Sequence, residues 1–130
     1  MIAGEEQRMK IEKFEDLDCW KKARELANLI YDLTSQRSFG KDFQLHDQMR
    51  DAAGSVMHNI AEGFEAGSDA EFVRFLRISR RSASEIQSEL YLALDRKYIL
   101  ENQLRKAYAK ATETKRLING LIAYLHRNKK

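Results

Sequence analysis

The stretch Asn59-Ile60-Ala61-Glu62-Gly63-Phe64-Glu65-Ala66-Gly67-Ser68-Asp69-Ala70-Glu71-Phe72-Val73-Arg74-Phe75-Leu76 decides the fold. It reads as the end of one amphipathic helix, a short turn and the start of another. Gly67 is expected to supply the left-handed residue that ends the first helix. Ser68 and Glu71 have the S-x-x-E spacing of a capping box, in which each side chain satisfies a backbone N–H left orphaned by the first helical turn. Phe72 then opens the apolar row of the second helix. So short a turn makes the two helices antiparallel neighbours.

Working outward, periodicity predicts four helices, at about residues 17–35, 45–66, 69–96 and 101–127. The first places Cys19, Ala23, Leu26, Ile30 and Leu33 on one face. The second does so with Met49, Ala52, Ala53, Val56, Ile60 and Phe64. The third carries Phe72, Leu76, Ser79, Ala83, Ile86, Leu90 and Ala93 in an unbroken four-three repeat. Leu104, Ala107, Ala111, Ile118, Leu121 and Leu125 make the inner face of the fourth. Of the connections at 36–44, 67–68 and 97–100 two are very short, so the expected fold is all-α: an antiparallel up-down-up-down four-helix bundle, one domain over residues 1–130. Residues 1–10 and 128–130 are expected to fray.

Composition agrees with helix throughout: no proline and six glycines among 130 residues. The lone Cys19 excludes an internal disulfide framework, and its place on the inner face suits a core thiol better than a nucleophile. No apolar run is long enough to span a membrane and the first residues lack a signal-peptide core, so the cytoplasm is the expected location. Charge is uneven. Residues 97–130 carry nine Lys and Arg against two acids, while residues 1–96 carry 14 against 18. Several apolar side chains fall outside the inner faces, namely Leu29, Val73, Ile78, Tyr91 and Leu92. Several of them on one helix suggest a second packing surface, against another helix or another subunit.

Enzyme signatures are missing. His46, His58 and His126 fit neither a zinc spacing nor H-E-x-x-H, and no di-iron Glu-x-x-His pair, nucleophile elbow, P-loop or dinucleotide fingerprint occurs. His58 and Glu62, four residues apart, read as a solvated pair. No catalytic residue, cofactor or metal is expected. Gly54 and Gly63 destabilise a helix interior and are explained by close approach of a neighbouring helix. Asn59, at the edge of the inner face, is expected to tie the second helix to its neighbour.

Basic residues are the remaining candidates. Arg74, Arg77, Arg80 and Arg81 share the outer side of the third helix, and Arg105, Lys106, Lys110, Arg116 and Arg127 that of the fourth. Such ridges neutralise phosphates or simply face solvent, with Arg81 and Glu85 as an i, i+4 pair. Lys115 differs, because it falls inside the apolar sector. It either snorkels at a widened part of the bundle or faces another subunit.

Several segments together resemble the four-helix-bundle family named for proteins encoded in intervening sequences of 23S ribosomal RNA genes. They are Phe14-Glu15-Asp16-Leu17, Trp20-Lys21-Lys22-Ala23, Gln48-Met49-Arg50, Asn59-Ile60-Ala61-Glu62-Gly63-Phe64, Glu71-Phe72 with Phe75-Leu76, Ser84-Glu85, Glu89-Leu90, Tyr98-Ile99 and Leu117-Ile118-Asn119-Gly120-Leu121-Ile122. Asn59, Glu62, Gly63, Ser68, Glu71 and Phe72 form the structural motif. The resemblance implies a small bacterial bundle that assembles into a ring-like homopentamer. It also implies kinship with the accessory variability proteins of diversity-generating retroelements, which engage nucleic acid and a reverse transcriptase through basic surfaces. The chain departs from the family pattern at Met57, where a proline is common, and at Lys97, where a glycine is usual. The expected function is therefore a non-enzymatic homo-oligomer that binds RNA or DNA through Arg74, Arg77, Arg81, Arg105, Lys106, Lys110 and Arg116. The alternative is a scaffold for a protein partner.

Overall fold

In a computed structural model that describes residues 11–128, four α-helices follow one another: α1 (Asp18–Thr34), α2 (Phe43–Phe64), α3 (Asp69–Asp95) and α4 (Glu101–Arg127). Short 3₁₀ turns at Phe14–Asp16 and Arg37–Phe39 precede α1 and α2. Cross-helix hydrogen bonds give the directions. Ser55 pairs with Ser82 at 2.7 Å and the Val56 carbonyl accepts from Ser79 at 2.7 Å, so α2 and α3 run oppositely. Gln87 meets Thr112, Ser84 meets Lys115 and Arg80 meets Asn119, so α3 and α4 do too. Glu25 of α1 meets Lys110 of α4, and Gln36, just past the end of α1, meets Gln103 of α4. The bundle is antiparallel and closes on itself, α1 packing on both α2 and α4.

The expected inner faces form one core. Leu26, Ile30, Met49, Val56, Ile60, Leu76, Ile86, Leu90 and Ile118 are fully buried, and Cys19 is buried among them. Phe64, expected inward, is half-buried and meets Phe72 edge to face at 6.1 Å. Val73, expected outward, is buried, because α3 packs on α2 and α4 at once and needs an apolar sector wider than one stripe. Leu29 and Ile78 are half-buried, whereas Tyr91 and Leu92 are exposed.

The deciding turn is longer than expected and is built differently. The helix ends at Phe64, and Glu65 caps it in a right-handed conformation while the last bonds tighten to Ala66 N–H on the Gly63 carbonyl. Gly67 is not left-handed; among the described residues the glycine at positive φ is Gly40, at 53°. Ser68 caps α3 as expected, its hydroxyl accepting from Glu71 N–H at 3.2 Å. The other half of the capping box is not formed, since the Glu71 carboxylate turns to Arg74 at 3.0 Å. A guanidinium one turn along the helix competes successfully with a single backbone N–H.

Gly63 is the close approach predicted, but Gly54 is not. A Cβ on Gly63 would stand 2.8 Å from Phe72 Cδ1 and 3.2 Å from the Phe72 carbonyl oxygen of α3, whereas one on Gly54 would meet only His58 of its own helix, at 3.5 Å. α2 begins earlier than periodicity suggests because Asp42 caps it, its Oδ1 accepting from Leu45 N–H at 3.1 Å. The same carboxylate accepts from the Tyr98 hydroxyl at 2.9 Å, and Ser38 donates to the Tyr98 carbonyl, so the first and third connections are tied together. α2 runs unbroken through Met57.

At Lys97 the usual glycine is missing but its conformation is kept: φ is 65°, with Lys97 N–H on the Leu94 carbonyl and Tyr98 N–H on the Ala93 carbonyl. These two bonds are the Schellman pattern. The fraying expected at residues 1–10, 129 and 130 lies outside the described residues, and Asn128 closes α4 with its side chain on the Tyr124 carbonyl.

Candidate nucleic-acid interface

The α3–α4 face gathers basic side chains of two helices. Arg74, Arg77 and Arg81 lie at i, i+3 and i+7 on α3, so helical geometry puts them on one side over roughly two turns. Arg80 flanks them, and α4 brings Lys115 and Asn119 opposite. Together with Ile78 and Ser84 these side chains line an open cleft of about 600 Å³. Five cations converge there and no carboxylate lines it.

Two of those cations are held by neutral partners. Arg80 donates to Asn119 Oδ1 at 2.6 Å, and Lys115 Nζ donates to Ser84 Oγ at 3.1 Å. Each bond crosses from one helix to the other and fixes a charge without cancelling it. Lys115, the lysine inside the apolar sector, is half-buried and lines the cleft with its ammonium on Ser84, the geometry of a snorkelling side chain. Arg74 pairs with Glu71 and lies over the Phe75 ring at 4.6 Å. Arg77 and Arg81 are exposed and make no ion pair among the described residues, so the expected Arg81–Glu85 pair is not formed.

The four basic candidates of α4 are placed elsewhere. Arg105 is taken up by Glu101 at 2.5 Å, on the same helix. Lys110 bridges to Glu25 of α1 at 2.8 Å, and that hydrogen bond with the lysine's charge holds the Glu25 carboxyl below the usual carboxylate range. Lys106 borders the same α1–α4 groove, which also contains Glu15, Glu25 and Asp32. Arg116 is exposed, outside the cleft lining. The structure therefore brings together Arg74, Arg77 and Arg81 and adds Arg80 and Lys115. Their convergence depends on the register of α3 against α4, for which the position of Lys115 in the apolar sector was the one available signal.

Of the polar residues of the α2 motif, Asn59 has a structural role. Asn59 Nδ2 donates to the Ser55 carbonyl at 2.8 Å and to Ser55 Oγ at 2.9 Å, and Ser55 reaches Ser82. Asn59 thus ties α2 to α3 through a serine relay, not directly. Glu62 and His58 are exposed. Among the described residues no three His, Cys, Asp or Glu side chains gather as a metal site would require, and no helix is long and apolar enough to cross a membrane.

Comparison with known proteins gives the following. The family model described as 23S rRNA-intervening sequence protein matches residues 15–120. A solved crystal structure, of a protein with unknown function from the S23 ribosomal protein family of Bacteroides thetaiotaomicron, superposes with a TM-score of 0.74 at 27% identity. The match covers 80% of this chain and 97% of that one. No curated protein matches.

Proposed function

This chain belongs to the family of 23S rRNA-intervening sequence proteins, and from that membership we propose that it is a non-enzymatic, cytoplasmic, homo-oligomeric protein that binds RNA or DNA through the α3–α4 face. One observation carries the reading: five cations of two helices, all but Arg74 without an ion pair among the described residues, converge on a cleft that no carboxylate lines. Guanidinium forks suit phosphate oxygens, and like charges gathered in one cleft focus their field on an anion there. Contacts of this kind position a nucleic acid more than they read its bases, because the arginines are not interleaved with exposed aromatic rings. Arg105, Lys106 and Lys110 contribute less in this reading, two of them being engaged by acids. The expected assembly, by resemblance, is a pentamer.

The test is the mass and absorbance ratio of the native protein, by light scattering after size exclusion, before and after nuclease. Five subunits with co-purifying nucleic acid support the proposal. A pentamer free of nucleic acid at low salt moves the weight to a second reading.

That second reading is a scaffold for a protein partner, and a specific feature favours it. Among the described residues, Tyr31, Phe43, Tyr91, Leu92 and Leu100 are the exposed large apolar side chains, and all belong to the end of the bundle where α1 and α3 finish and α2 and α4 begin. One stoichiometric protein recovered after nuclease treatment, and lost on Leu92→Glu, would establish it.

A further inference from the structure

We propose that the α3–α4 cleft is a site for a compact polyphosphate, the chemistry of an RNA 5′-triphosphate end or of a free nucleoside triphosphate, in preference to the internal phosphodiesters of a strand. The proposal rests on the reading of this cleft as an anion site and narrows it.

Three observations carry it. The first is shape. A row of arginines on a convex helix would follow an extended backbone, but here α4 forms a second wall, and the volume of the open cleft between them, about 600 Å³, lies within the roughly 300–1,000 Å³ of small-ligand sites. A space of that size admits few consecutive nucleotides. The second is charge density. Five cations face one small volume with no acid on the lining, and all but Arg74 lack an ion pair among the described residues, so mutual repulsion is relieved best by the anion that concentrates most charge there. An internal phosphodiester carries one negative charge, and a terminal triphosphate carries about four in less space.

The third is preorganisation. Arg80 and Lys115 are held across the cleft by Asn119 and Ser84, which keep both charges in place without neutralising them. Arg77 and Arg81, exposed and without an ion pair among the described residues, are left to close over the ligand. The side chains of Asn119 and Ser84 are positioning groups, and the guanidiniums supply the binding.

The experiment uses the full chain in its native assembly, without magnesium, at constant ionic strength. Fluorescently labelled RNAs of one sequence, ending in a 5′-triphosphate or a 5′-hydroxyl, are titrated in parallel. Unlabelled tripolyphosphate, ATP and AMP are then used as competitors. The account predicts that tripolyphosphate displaces RNA at concentrations about tenfold or more below AMP. The Arg77→Ala, Arg81→Ala double variant should lose that advantage, and Lys41→Ala, at the far end of the bundle, should keep it. Tighter binding of the 5′-triphosphate RNA than of the 5′-hydroxyl RNA assigns the site to an RNA end. Equal binding of the two RNAs with strong competition by ATP assigns it to a free nucleotide. Equal binding of the two RNAs with tripolyphosphate no better than AMP overturns the inference while leaving nucleic-acid binding intact. If neither RNA nor tripolyphosphate binds, the underlying reading of the cleft fails as well.

Discussion

Gly63 and Phe72 touch so closely that a side chain on Gly63 has no room: its Cβ would stand 2.8 Å from Phe72 Cδ1 and 2.9 Å from Phe75 Cβ. This contact sets the spacing of α2 and α3 beside the turn that joins them. Gly63→Ala should therefore destabilise the bundle, by about 1–3 kcal/mol of overpacking less up to about 1 kcal/mol regained in helix propensity. A urea midpoint unchanged or raised in Gly63→Ala would mean that the helices separate at little cost.

Phe72 is the partner in that contact and packs edge to face on Phe64. Phe72→Ala should cost about 3–5 kcal/mol, the range for deleting a buried aromatic side chain. A loss below about 1 kcal/mol by chemical denaturation would contradict its place in the core.

Lys97 adopts φ 65°, a conformation that disfavours any side chain, to complete the Schellman bonds at the end of α3. Lys97→Gly removes that strain, at the expense of a more flexible unfolded chain. The net expectation is a gain of roughly 0.5–1 kcal/mol in stability. Thermal unfolding of the variant would show a higher midpoint; a lower one would mean that the lysine side chain makes a compensating contact.

Glu89 is 9% exposed, and its Oε1 accepts no hydrogen bond from the described residues. Burial, with a smaller contribution from the Glu85 charge, pushes its carboxyl up to about 7. The sign follows from proton binding. The folded chain holds this proton where the unfolded chain has released it, so the contribution to stability falls as pH rises from about 4 to 8. It should amount to at most about 3 kcal/mol across that window. Glu89→Gln should therefore unfold at higher urea than the parent at pH 8, the difference shrinking towards pH 5. A constant difference across that range would contradict the account.

Much of the architecture could be read from residues. The four-three row from Phe72 to Ala93 is buried throughout, and Ser68 caps α3, because both depend on local spacing alone. What was misread depends on competition or on partners far along the chain. Gly67 is open to solvent and unstrained, with nothing within 4 Å of where its Cβ would be, while the left-handed cap sits on a lysine that local preference argues against. α2 starts at Phe43 because Asp42 is fixed from the other side by Tyr98, 56 residues away.

The candidate site was half legible for the same reason. Arg74, Arg77 and Arg81 share a side of α3 by periodicity. Whether they face solvent or a second wall depends on the register that sets Asn119 against Arg80 and Lys115 against Ser84. On α4, charge alone did not distinguish Arg116 from Lys110, which is occupied by Glu25 of a helix 85 residues earlier.

The most direct test of the central claim is the salt dependence of RNA binding by the native protein and by an Arg77→Glu, Arg81→Glu variant that retains the parent's mass and helix content. If the α3–α4 cleft holds the nucleic acid, the variant binds at least about tenfold more weakly, and its log–log salt slope falls by roughly one to two units. Equal affinity and an equal slope for the two proteins would contradict the claim.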